Sequence, residues 1–104
     1  MARTKSEQET FEAAIKEYGK EQQMIVAIEE LSELQKEICK ILRKNIGRPR
    51  SNVKVHEEIA DCEIMLEQLK MIFKCDDNVE QWRLDKVVRL KTRLGLLPGV
   101  MKDE

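Results

Sequence analysis

Four acidic side chains recur at helical spacing in the two central segments of this 104-residue sequence. Glu30 and Glu33 form one pair, and Glu58 and Asp61 form the other. Side chains three positions apart are neighbours on one helix face. Each pair can therefore present two carboxylates to the same partner helix, and two facing helices would bring all four carboxylates together.

The surroundings of these carboxylates are apolar. On a helical wheel, Glu58 projects between Cys62 and Met65, while Asp61 and Glu30 border the apolar stripes of their segments. An unpaired buried carboxylate is costly, and clustered like charges raise one another's pKa. Such a cluster requires counter-charge, either from Lys and Arg side chains or from a bound metal ion.

The chemistry of the metal follows from the ligand type. Carboxylates without His or Cys select hard cations, which indicates Mg²⁺ or Mn²⁺. Mg²⁺ held by a few carboxylates keeps positions for water and for substrate phosphates. The pattern thus favours phosphate chemistry. The alternative is a solvated acidic face, because Glu-rich helices contain Glu-x-x-Glu by chance.

Gly, Pro and polar turn residues divide the chain into four segments with apolar residues three and four apart, which predicts amphipathic helices. We predict helices from Ser6 to about Tyr18, about Lys20 to Lys44, about Asn52 to Phe73, and near Asp77 to near Leu94. Together they predict one all-α domain, a four-helix bundle with its core at about 6–95 and a loosely ordered tail at 96–104.

Three of the helix ends carry recognisable signals. Ser6 with Glu9, and Asp77 with Glu80, have the spacing of a capping box at a helix start. Gly19 is suited to a left-handed cap at the end of the first helix.

Composition excludes several classes of protein. The 19 basic and 20 acidic residues nearly cancel, which argues against stable nucleic-acid binding. No apolar run approaches the roughly 18 residues of a membrane span, and no apolar segment follows the basic start as in a signal peptide. An odd number of cysteines, three, indicates reduced thiols and a cytoplasmic protein.

The acidic motifs resemble those of the MazG-like, all-α nucleoside-triphosphate pyrophosphohydrolases. The first motif is Glu29-Glu30-Leu31-Ser32-Glu33, and the second is Glu58-Ile59-Ala60-Asp61. The resemblance covers roughly residues 20–95, and the sequence there looks like the short, phage-type or bacterial members of the family. Cys62 departs from the usual aliphatic residue but keeps the position apolar.

This resemblance implies that Glu30, Glu33, Glu58 and Asp61 ligate Mg²⁺, with Mn²⁺ as a substitute. It also implies cleavage of a nucleoside triphosphate between its α- and β-phosphates, which releases a nucleoside monophosphate and pyrophosphate. The expected assembly is a homodimer or homotetramer with the site near a subunit interface.

This reaction also requires a proton acceptor for the attacking water and cations for the leaving pyrophosphate. A carboxylate not fully used as a metal ligand can accept the proton of the attacking water, and the candidates are Glu29, Glu33 and Glu57. The leaving pyrophosphate needs cations. Candidates from the last helix and the third helix are Lys86, Arg89, Arg93 and Lys54, with Arg48 and Arg50 in the preceding loop; their alternative is a solvated face or local salt bridges.

Two alternative functions remain open at this stage. Phosphoribosyl-ATP pyrophosphohydrolases of the same superfamily would use the same carboxylates. A non-enzymatic helical interaction module would instead place the carboxylates on exposed faces and would not respond to Mg²⁺.

Overall fold

The computed structural model describes residues 2–44 and 52–97. Within these ranges the chain forms four helices and no strand, which confirms the all-α prediction. The helices are α1 (Lys5–Tyr18), α2 (Lys20–Lys44), α3 (Val53–Ile72) and α4 (Asp76–Arg93). None of the helices in the described part combines the length and the hydropathy that a membrane span requires.

The start of α1 is set by a capping box two residues earlier than predicted. The backbone N–H of Glu7 donates to the Thr4 hydroxyl at 3.1 Å, and the Thr4 N–H donates to the Glu7 carboxylate at 2.9 Å. The predicted start at Ser6 is wrong because Thr4 and Glu7 have the same spacing as Ser6 and Glu9 and lie upstream of them.

Gly19 separates α1 from α2. Its N–H donates to the carbonyl of Ile15 at 2.9 Å, and its own carbonyl accepts from the N–H of Gln23 at 3.1 Å. Its φ of 90° is one that glycine adopts readily, as predicted, but its ψ of 153° is extended and differs from a left-handed helical cap. A single glycine thus ends one helix and begins the next.

The fourth helix begins at Asp76, one residue before the predicted start. Cys75 occupies the N-cap position and makes no side-chain capping hydrogen bond. The capping box predicted for Asp77 and Glu80 is therefore wrong, because Asp77 already lies within the helix.

The chain divides into two compact units, the first ending at Phe73 and the second beginning at Lys74. In the first unit α2 and α3 form the main helix contact, and α1 packs against both. The second unit contains α4, in which no residue is buried. The single domain and the four-helix bundle stay predictions. Residues 98–104 of the predicted tail lie outside the described residues.

The core of the first unit is small and contains polar side chains. An anchor at its edge is Arg3, whose Nε donates to Oε1 of Glu67 at 2.9 Å and whose Nη1 donates to Oε1 of Gln8 at 2.6 Å, tying α1 to α3. The buried residues are Phe11, Ala27, Cys62, Met65 and Ile72, together with Gln23, Glu58 and Gln68.

Helix α2 carries two parallel stripes rather than the single one predicted. The stripe that includes Gln23, Ala27 and Glu30 is buried or half-buried. Its neighbour, here termed the outer stripe, is exposed apart from the half-buried Met24, because only one side of α2 faces the core. The outer stripe alternates in steps of four and three through Met24, Ile28, Leu31, Gln35, Ile38 and Leu42.

Candidate metal centre

Three of the predicted carboxylates meet where α2 and α3 pack together. Glu30 comes from α2, and Glu58 and Asp61 come from α3. Each offers one carboxylate oxygen, and these three oxygens all lie within 4.8 Å of one another. The prediction that both helices contribute acidic groups to one cluster is confirmed for these three residues.

The cluster forms because α2 and α3 are antiparallel in a defined register. Nε2 of Gln23 donates to Oε1 of Gln68 at 2.7 Å, and the Cys62 thiol donates to the carbonyl oxygen of Glu30 at 3.3 Å. Residues later in α2 therefore pair with residues earlier in α3. Gln23 lies seven residues before Glu30, and Gln68 lies seven residues after Asp61. The amide pair and the carboxylates therefore lie on the same contact face between α2 and α3, about two helical turns from each other.

Glu58 is the most buried member of the cluster. Only 3% of the residue is exposed, as its wheel position between Cys62 and Met65 predicts. Its Oε1 accepts from Nζ of Lys54 at 3.1 Å, whereas its Oε2 has no hydrogen-bond partner among the described residues. A buried acceptor without a partner destabilises a fold by about 1–3 kcal/mol, and by more when it is charged. The cluster therefore retains an unsatisfied demand for a donor or cation.

The electrostatics of the site indicate the same deficit of positive charge. Burial, followed by the neighbouring charges of Asp61 and Glu58, raises the pKa of Glu30 above its ordinary value. Burial and the same three carboxylates raise the pKa of the Cys62 thiol, which keeps it protonated as a donor. A divalent cation would reverse the effect on Glu30 by favouring its ionised form.

The remaining predicted acidic residues lie outside this group. Glu33, one turn beyond Glu30, is exposed and does not belong to the group of three. Glu29 and Glu57 are exposed as well, and an oxygen of Glu57 lies 3.6 Å from Nζ of Lys54. Their predicted roles as a fourth ligand or as a proton acceptor stay predictions.

The predicted phosphate-binding cations fall in both units. Lys54 belongs to the first unit and lies at the cluster. In the second unit, Nζ of Lys86 lies 5.7 Å from the centroid of the Trp82 ring. Arg89, together with the exposed Arg93, lines a surface depression on α4, and its Nη2 lies 2.8 Å from Oδ2 of Asp85. Arg48 and Arg50 lie outside the described residues.

The buried amide pair of Gln23 and Gln68 was not predicted from the sequence. Only 5% of Gln23 and 4% of Gln68 is exposed, and Gln68 also donates to the sulfur of Met65 at 3.7 Å. The available signal was the seven-residue offset of each glutamine from a cluster carboxylate, which places it on the core side of its helix.

No family model, curated protein or solved structure matches this chain. Its membership of the MazG-like family stays a prediction that rests on the two acidic motifs and their order.

Proposed function

We propose that this protein is a Mg²⁺-dependent nucleoside-triphosphate pyrophosphohydrolase of the MazG-like class, which hydrolyses nucleoside or deoxynucleoside triphosphates in control of the nucleotide pool. The observation that carries the proposal is the burial of Glu58 beside Glu30 and Asp61 with one of its oxygens unpartnered. A helix that only binds another protein gains nothing from a buried carboxylate. A carboxylate on an exposed face would be hydrated by solvent and would avoid the cost of burial.

The donor set fits a hard divalent cation. Glu30, Glu58 and Asp61 provide only oxygen ligands, from two helices whose packing holds them together. Three carboxylates from one chain leave further coordination positions for water and for phosphate oxygens. A bound Mg²⁺ would neutralise charge on the triphosphate and orient it for in-line attack.

The protein's own residues would supply the rest of the chemistry. A water oxygen forms the new bond to the α-phosphorus, the bond from that phosphorus to the bridging oxygen breaks, and pyrophosphate leaves. The proton of the water passes to a carboxylate. Glu33 is a candidate for this role, together with Glu29 and Glu57, and its exposed position near Glu30 suits a proton acceptor better than a ligand.

The candidate cations for the leaving pyrophosphate differ in whether they lie at the acidic cluster. Lys54 lies against the cluster, with its Nζ 3.1 Å from Oε1 of Glu58, and this position favours it as a phosphate contact. Lys86, Arg89 and Arg93 stay candidates because all three belong to one face of α4.

The outer stripe supports the proposed homodimer. Steps of four and three are the spacing by which helices pair in coiled coils, and a polar residue such as Gln35 within such a stripe favours one register. Exposed apolar residues on α3 and at its C-terminal cap add to the uncovered surface, namely Ile59 and Leu66 on the helix and Phe73 at the cap. Sedimentation at a monomer mass of 12.2 kDa at all concentrations would contradict this assembly.

The same exposed apolar surface favours a second candidate, a helical module that binds another protein without catalysis. The two candidates differ in their response to metal. An interaction module should bind no divalent ion at the cluster and should release no pyrophosphate from any nucleotide.

The deciding experiment measures pyrophosphate release from a panel of ribo- and deoxyribonucleoside triphosphates and phosphoribosyl-ATP, with Mg²⁺ and with a chelator. The E58Q variant should lose Mg²⁺-dependent release while its helical circular dichroism is retained. E63Q is the matched control, because Glu63 is an exposed acidic residue of the same helix. Activity confined to phosphoribosyl-ATP would reassign the substrate, and full activity of E58Q would refute the role of the cluster.

A further inference from the structure

Lys54 reaches a buried carboxylate from an exposed position. It lies in the first turn of α3, four residues before Glu58, and its side chain is 52% exposed, whereas that of Glu58 is 5% exposed. Its Nζ is 3.1 Å from Oε1 of Glu58 and 3.6 Å from Oε1 of Glu57. The amine therefore holds a hydrogen-bonded ion pair at the edge of the cluster while about half of its side chain remains in solvent.

A lysine ammonium and a divalent cation seek the same kind of partner at this point. Both need carboxylate oxygens, and each repels the other over the few ångströms that the cluster spans. The pair with Glu58 contributes little stability, because one partner is half-exposed and mobile four-carbon stems lose entropy when they are fixed. Lys54 can therefore leave Glu58 at small cost when a stronger cation arrives.

We infer that Lys54 is a resident counter-ion that competes with the divalent metal for Glu58 and that, once displaced, binds a phosphate of the substrate. This inference rests on the proposed function and adds a coupling between two binding events. Displacement by metal frees a positive charge beside the site, so metal binding prepares the protein for the triphosphate. In the metal-free protein, the same charge offsets part of the repulsion among Glu30, Glu58 and Asp61.

The coupling has a signature that neither a simple ligand nor a simple structural residue would give. Removing the charge of Lys54 should strengthen metal binding in the absence of phosphate and weaken phosphate binding in the presence of metal. The two effects have opposite signs. A residue needed only for folding would weaken both, and a solvated lysine would change neither.

The experiment compares Lys54→Met, which keeps an apolar stem, with Lys54→Arg, which keeps the charge. Mn²⁺ affinity is measured by electron paramagnetic resonance or calorimetry without nucleotide, and then inorganic triphosphate affinity is measured at saturating Mn²⁺. We expect K54M to bind Mn²⁺ about three- to tenfold more tightly, the effect of one nearby charge on a divalent ion in a largely hydrated setting. Triphosphate should bind it about tenfold more weakly. K54R should remain near the unaltered protein in both measurements.

The matched control is Lys36→Met. Lys36 is exposed on α2 and its loss changes the net charge equally, but it lies outside the acidic cluster. K36M should therefore leave both affinities unchanged. If it tightened Mn²⁺ binding as much as K54M does, the effect would come from net charge and the inference would be overturned.

Thermal melting gives an independent readout. Added Mn²⁺ should raise the midpoint of K54M more than that of the unaltered protein, because tighter binding to the folded state stabilises it more. Equal Mn²⁺ affinities of K54M and the unaltered protein would overturn the inference and leave the proposed function standing. Absence of Mn²⁺ binding from both proteins would overturn the inference and the proposed function together.

Discussion

Replacing Glu58 by Met should stabilise the metal-free protein and abolish its response to metal. Methionine has a similar length and no charge, and it can occupy the apolar surroundings that bury 95% of the Glu58 side chain. The substitution removes a buried oxygen without a partner, which is worth about 1–3 kcal/mol. It also removes the ion pair with half-exposed Lys54, which is worth about 0–1 kcal/mol.

The difference between these two contributions sets the expected magnitude. We expect a net gain of about 1 kcal/mol in the free energy of unfolding in EDTA, equivalent to about 4–8 °C in the thermal midpoint of a domain of this size. Mg²⁺ should then stabilise the unaltered protein through binding to its folded state and should leave E58M unchanged.

Urea unfolding followed by circular dichroism, in EDTA and in saturating Mg²⁺, measures both effects. E63M is the control, because Glu63 is exposed on the same helix and its replacement should change neither quantity much. A loss of several kcal/mol for E58M in EDTA would show that the carboxylate has a structural role, and the reasoning from its unpartnered oxygen would be refuted.

Three further results are expected. Gln68→Leu leaves Gln23 buried without a partner and should lower the free energy of unfolding by about 1–3 kcal/mol, measured with urea. The double variant with Gln23→Leu should recover part of that loss. Additive effects of the two substitutions would contradict the pairing. Because burial and neighbouring carboxylates raise the pKa of Glu30, the folded state binds more protons than the unfolded state between pH 4.5 and the raised pKa. Stability in EDTA should therefore fall as pH rises through that window, and the slope should be smaller in E30Q. Thr4→Ala should cost about 1 kcal/mol in thermal melts and Ser6→Ala much less, and the reverse order would contradict the observed cap.

The helices themselves could be predicted from the sequence because their signals are local. The range of α2 agrees with the prediction because Gly19 marks its start and the apolar spacing continues to Leu42, two residues before the helix ends at Lys44. The burial of Glu58 was predictable for the same reason, since its wheel position lies between Cys62 and Met65, which are themselves buried. Local periodicity thus fixed both the element and the unusual position within it.

Features that depend on a partner helix were harder to predict. The wheel of α2 alone does not show which of its two stripes faces α3. Ile28 and Leu31 are apolar and have helical spacing, yet they are exposed. The pairing of Gln23 with Gln68 depends on the antiparallel register, which no single helix encodes. The separation of exposed Glu33 from the cluster has the same origin.

The start of α1 shows a different difficulty. Thr4 and Ser6 each have a glutamate three residues later, so local chemistry supports either as the cap. The contact between Arg3 and Glu67 holds the chain before Thr4 against α3. That contact joins residues 64 positions apart, and the capping pattern alone does not contain it.

The most direct test of the central claim is the identity of the products formed from nucleoside triphosphates in the presence and absence of Mg²⁺. We expect pyrophosphate and the nucleoside monophosphate in equal amounts with Mg²⁺, none with EDTA, and none from E58Q. Failure to release pyrophosphate from any nucleotide in the panel, or release that E58Q retains in full, would contradict the account.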